Sequence, residues 1–70
     1  MSITLKFRDS SKIKEKIAMR GESISDFSKL TKINYSLMSE YLNDKKRPSP
    51  PTAKKIAIAL NEEIKDIFSI

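Results

Sequence analysis

Ser23-Ile24-Ser25-Asp26-Phe27-Ser28-Lys29-Leu30-Thr31-Lys32-Ile33-Asn34-Tyr35-Ser36-Leu37-Met38-Ser39-Glu40-Tyr41-Leu42-Asn43 is the stretch that decides how this chain folds. Ser23 followed three residues later by Asp26 is an acidic capping box, the signature of a helix start. The spacing predicts a short helix from Ile24 to Thr31 that buries Phe27 and Leu30, with Ser28 small enough for close contact with a neighbour. Only Lys32 and Ile33 separate it from Asn34, whose side-chain oxygen can cap a second helix. In that second helix Met38, Tyr41 and Leu42 stand three and four residues apart and turn one face inward. Tyr35, Ser36, Ser39, Glu40 and Asn43 fall on the rest of the wheel and face outward. These outward side chains are mostly short and polar, with one carboxylate and no Lys or Arg. In a basic chain, a helix face that is merely solvated would more often carry Lys. A short polar face suits a surface that must approach another molecule closely.

Two short helices joined by a turn of three or four residues, the second exposing a polar face, form a helix-turn-helix over residues 24–43. The flanking sequence extends it. Upstream, Asp9, Ser10 or Ser11 can cap a helix running to about Arg20, with Ile13 and Ile17 at i, i+4 and Ala18 beside them. Gly21 supplies the left-handed stop expected just past its end. Downstream, Asn43 and Asp44 tolerate the left-handed conformation and end the third helix. A basic loop, Lys45-Lys46-Arg47, then leads into Pro48-Ser49-Pro50-Pro51, and Pro50 or Pro51 can occupy the first turn of a fourth helix. Ala53, Ile56, Ala57 and Leu60 make its inner face, Asn61 follows its end, and Ile64, Ile67 and Phe68 suggest a last short helix.

At the start of the chain, Ser2 to Arg8 alternates, with Ile3, Leu5 and Phe7 on one side and Thr4, Lys6 and Arg8 on the other. That period of two argues for a short strand with one buried face, which needs a pairing partner. The alternative is a disordered terminal arm.

Composition narrows function. Seventy residues make a single domain, 1–70, near the lower limit for a core without staples. With no Cys and no His, disulfides, thiolate metal sites and most nucleophile–base sets are excluded, and with a single Gly there is no phosphate-binding loop to propose. The nine carboxylates show no metal-ligand pattern, so no enzyme, metal or cofactor is expected. A formal charge of +5 favours a polyanionic partner, nucleic acid or anionic membrane. The lysines are spread over several short helices rather than one amphipathic face, which argues against a membrane surface. Apolar runs are too short to span a bilayer and the N-terminus lacks a signal-peptide core, so a cytoplasmic location is expected.

From Ile13 to Phe68 the chain resembles the phage repressor and Cro-type helix-turn-helix family, also called XRE-like. The resemblance is carried by Gly21-x-Ser23, Phe27-Ser28-Lys29-Leu30-Thr31-Lys32-Ile33-Asn34, Met38-x-x-Tyr41, Asn43-Asp44-Lys45-Lys46-Arg47-Pro48 and Ala53-x-x-Ile56-Ala57-x-Ala59-Leu60. It implies an all-α, five-helix lambda-repressor-like domain, with a possible short N-terminal strand. Several positions depart from the family pattern. Ser28 replaces the usual Ala, Lys32 and Asp44 replace Gly, and the hydrophobic and polar residues at 22 and 24 look exchanged in Glu22 and Ile24. An Arg–Glu pair common in relatives is replaced by Ile17 and Leu42.

The resemblance implies a sequence-specific regulator of transcription, a repressor of phage or mobile-element type, that binds double-stranded DNA. Carried over by position, Tyr35, Ser36, Leu37, Ser39 and Glu40 are expected to meet base edges, Leu37 near a thymine methyl and Glu40 accepting from cytosine N4. Lys16, Ser23, Ser25, Lys32, Asn34, Asn43, Lys45, Lys46 and Arg47 are expected to meet phosphates. A homodimer on a palindromic operator is expected, with half-sites about 34 Å apart. The competing reading is an antitoxin or protein-interaction module that offers the strand Ile3–Phe7 as its contact edge.

Overall fold

The computed structural model describes residues 3–70, in the order β1 (Lys6–Phe7), α1 (Ser10–Met19), α2 (Ile24–Thr31), α3 (Tyr35–Leu42), α4 (Pro50–Ala59), α5 (Ile64–Ile67) and β2 (Phe68–Ser69). Each of the first three helices begins where a side chain takes up orphan backbone N–H groups. Asp9 accepts from Lys12, Ser23 accepts from Asp26, and Asn34 accepts from Ser36 and Leu37. In α4 the prolines take that place, since Pro50 and Pro51 have no N–H to satisfy.

The helix ends share one device. After each of α1 to α4 stands a residue with positive φ: Gly21 at 75°, Lys32 at 59°, Asp44 at 58° and Asn61 at 57°. At each, two backbone N–H groups fold back onto the last turn: Gly21 onto Ala18 and Glu22 onto Ile17, Lys32 onto Lys29 and Ile33 onto Ser28. Asp44 and Lys45 bond likewise to Tyr41 and Glu40, and Asn61 and Glu62 to Ile58 and Ala57. This paired 5→2 and 6→1 pattern is the Schellman motif. Asp44, rather than Asn43, takes the left-handed conformation after α3, since Asn43 has φ −103°.

The helices enclose one core. Ile13 and Ile17 of α1, Phe27 of α2, Met38, Tyr41 and Leu42 of α3, and Ala53, Ile56 and Ala57 of α4 are all buried in it, as is Leu60 just beyond α4. The expected inward faces of α3 and α4 are therefore observed, and that of α1 at Ile13 and Ile17, whereas Ala18, expected beside them, is exposed because it lies off the buried i, i+4 stripe. In α2 the stripe is rotated. Leu30 is 52% exposed, whereas Ser28 and Thr31 are buried with Phe27. Both hydroxyls turn back on their own helix, Ser28 Oγ to the Ile24 carbonyl (2.8 Å) and Thr31 Oγ1 to the Phe27 carbonyl (2.9 Å). Their polarity is thus satisfied locally and does not oppose burial. Ile24 is half-buried against the core, as the exchange of residue types at positions 22 and 24 would have it.

The N-terminal alternation resolves as a strand, shorter than its pattern. Lys6–Phe7 pairs antiparallel with β2, in the register Lys6 opposite Ser69 and Phe7 opposite Phe68. The Phe7 and Phe68 rings stack at 4.5 Å, an attraction added to their burial. Leu5 donates its N–H to the Pro48 carbonyl and Arg8 to the Ile67 carbonyl, both at 2.9 Å. Leu5 and Phe7 are buried, but Ile3 is 55% exposed and does not share their face. Phe68, expected on the last helix, lies instead in β2, and Ile70 is exposed. Ser2, the first residue of the expected strand, lies outside the described residues. Among the described residues no helix is long and apolar enough to cross a membrane.

Candidate nucleic-acid interface

The outward face of α3 is built by its cap and its core contacts together. Asn34 Oδ1 accepts the Ser36 and Leu37 N–H groups at 2.8 and 3.3 Å, which fixes the first turn. Met38 and Leu42, both fully buried, fix the rotation of the helix about its axis. Burial of two such side chains contributes about 1.5–3 kcal/mol each, enough to hold the opposite face in one orientation. That opposite face presents Tyr35, Ser36 and Glu40 to solvent, with Ser39 half-buried beside them. The Tyr35 ring is 56% exposed and free to meet a ligand. Leu37 is half-buried and leans on the core, so only part of its side chain reaches the outer face.

The expected phosphate-facing residues do not all gather there. Ser23 and Ser25 are exposed at the start of α2. Ser23 is also engaged by its capping box: its hydroxyl accepts the Asp26 N–H, and its own N–H goes to the Asp26 carboxylate, both at 3.0 Å. The Ser23 backbone N–H first, and then the Ser23 side chain, hold the Asp26 carboxyl below the ordinary carboxylate value, with Lys29 adding to the effect. The start of α2 thus keeps one negative charge beside its two serines.

Lys32 is exposed in the turn between α2 and α3. Asn43, at the far end of α3, is held at both ends of its amide: it donates to the Ser39 carbonyl (2.9 Å) and accepts from Lys14 Nζ (2.9 Å). Lys45, Lys46 and Arg47 are exposed in the loop that follows. The loop has a fixed base, because Pro48 is buried and its carbonyl receives the Leu5 N–H. Lys16 stands apart. Its Nζ pairs with Glu62 at 3.0 Å, toward the turn between α4 and α5. Tyr41 lies on the buried side of α3, and its phenol is pushed up by burial, against which a hydrogen bond with Thr52 works.

Sequence reasoning passed over Ser10 and Lys14, because their partners are remote in the chain. Ser10 Oγ donates to the Asp44 carboxylate (2.7 Å), and with the Lys14–Asn43 bond this ties α1 to the end of α3. Nothing in the local pattern signals either contact. Among the described residues no group of His, Cys, Asp or Glu could hold a metal ion.

The family model for the Cro/C1-type helix-turn-helix DNA-binding domain matches residues 12–70. No curated protein matches the chain.

Proposed function

Because this chain belongs to the Cro/C1-type helix-turn-helix DNA-binding family, we propose that it is a transcriptional repressor of phage or mobile-element type that reads the major groove with α3. The observation that carries this reading is the face of Tyr35, Ser36 and Glu40: exposed, free of Lys and Arg, and held by the Asn34 cap above and the buried Met38 and Leu42 below. Bases are discriminated by short groups that donate or accept at fixed positions, and a rigid helix supplies that fixity. Tyr35, Ser36, Ser39 and Glu40 contact base edges in this reading, and Leu37 offers its exposed part to a thymine methyl. Glu40 repels phosphate, so its place on this face favours base reading over affinity.

Affinity comes from the flanks, where Ser23, Ser25, Lys32, Asn34, Asn43, Lys45, Lys46 and Arg47 meet the backbone. Lys16 joins them only by leaving Glu62. One α3 reads half a site, so two copies on a palindrome are the operating form.

Selection from random duplexes tests the reading. A palindromic site should emerge, and Ser36→Ala or Glu40→Ala should relax preference at single base pairs by about 1–3 kcal/mol where the contact is good. If both variants keep the parent's preference at every position, α3 is not the reader.

A further inference from the structure

A hollow lies away from the outer face of α3. It is a cleft of about 640 Å³ between β1, the start of α1 and the loop that follows α3. Four cations line it: Lys6 and Arg8 from the N-terminal segment, and Lys46 and Arg47 from the basic loop. The hydroxyls of Ser10 and Ser69 lie at its walls. Two carboxylates also line it, and both are engaged: Asp9 accepts the Lys12 N–H and Asp44 accepts the Ser10 hydroxyl.

These cations come from two segments about forty positions apart in the sequence, and the fold joins them. The N–H of Leu5, next to Lys6, bonds to the carbonyl of Pro48, next to Arg47. One backbone bond thus sets the cationic strand edge beside the end of the basic loop. Arg8 uses Nε on the Lys65 carbonyl (3.1 Å), and no hydrogen bond among the described residues uses its Nη groups. Lys6 is exposed and has no partner within the described chain.

We propose that this cleft is a second phosphate site, which extends the DNA contact from the basic loop onto β1 through Lys6 and Arg8. The proposal rests on the duplex-binding reading above. A chain of phosphates passing the end of α3 meets Lys46 and Arg47 and then Lys6 and Arg8, which line the same cleft. The contact carries no base information, so it strengthens binding to every duplex alike.

The test is binding of the full chain to a duplex of about 20 base pairs across a salt series, with Lys6→Ala, Lys6→Arg and Lys54→Ala. Lys54 lines a different hollow, with Ile58 and Ile64, and serves as a charge control. Helix content by circular dichroism confirms that each variant is folded. Lys6→Ala should lower the salt slope by about one, which reduces the ratio of affinities at 50 and 200 mM salt by about fourfold. Lys6→Arg should restore the slope, and Lys54→Ala should leave it at the parent value. A steep parental slope that Lys6→Ala does not change overturns the second site and leaves the α3 reading standing. A parent that binds no duplex overturns the α3 reading, and this proposal with it.

Discussion

At the scale of single residues, the four left-handed helix ends are occupied very unequally. Gly21 has no Cβ to clash, and Asp44 and Asn61 belong to the residue types that tolerate this conformation. Lys32, at φ 59°, has neither advantage. Replacing it with Gly should raise stability by up to about 1 kcal/mol, read as a shift in the denaturation midpoint without a change in its steepness. Asp26 yields a pH effect of known sign. Its folded-state pKa is depressed, so its contribution is present above the unfolded value and is lost as pH falls through the folded one. Asp26→Asn should therefore flatten the acid limb of stability against pH, measured by thermal melts at stepped pH. Gly21 and Asn61 were legible in the sequence as stops, as was the Ser23–Asp26 box. The left-handed turn at Lys32 was visible only through family likeness, because lysine itself gives no signal for positive φ.

At the scale of elements, α1 and α3 pack together with Ile17 and Leu42 both sealed in the core. Leu42→Glu alone buries a carboxylate without a cation and should cost about 3–5 kcal/mol, a large part of the stability of a small domain. Adding Ile17→Arg should recover part of that loss, and a double-mutant cycle in denaturant measures the recovery. Strictly additive losses would show that the two positions do not interact. The buried faces of α1, α3 and α4 could be read because Ile13 and Ile17, Met38 and Leu42, and Ala53, Ile56 and Ala57 recur at three and four residues, although Ala18 beside Ile17 is exposed. In α2 the apolar residues Phe27 and Leu30 suggested one stripe, but Phe27, Ser28 and Thr31 form the real one. A sequence pattern ranks Leu above Thr for burial and cannot see that the Thr31 hydroxyl is satisfied by its own helix. The outer face of α3 was legible for the same reason as its inner one. The half-burial of Leu37 and the diversion of Lys16 to Glu62 were not, since both depend on neighbours distant in sequence.

At the scale of the whole molecule, the N-terminal segment belongs to the fold. Phe7 is buried and stacked on Phe68, so Phe7→Ala should cost about 3–5 kcal/mol, and removal of residues 1–8 should leave a chain that melts far lower or not cooperatively. Melting followed by circular dichroism tests both. A truncated chain as stable as the parent would show that the strand contributes nothing. The segment Ile3–Phe7, expected as a free edge for a protein partner, is instead hydrogen-bonded within its own chain at Leu5 and through β2. The period of two showed a strand, but its mate was hidden. Ile64, Ile67 and Phe68 recur at three and four residues, which reads as helix throughout, and two strand residues at its end leave no pattern of their own.

The pairing of β1 with β2 also brings together two segments that lie far apart in the sequence. Arg8 and Lys65 touch although 57 positions separate them, whereas consecutive helices follow one another closely along the chain. Closing a loop of that length carries an entropy cost of roughly 3–4 kcal/mol beyond a constant term. Contacts so far apart reward the chain only after the local ones have formed. The strand pair is therefore expected to close after the helices, as a latch on a formed bundle. A peptide linker joining residue 70 back to residue 1 would take most of that closure out of the folding reaction. The circular chain would then fold with its slowest search already made.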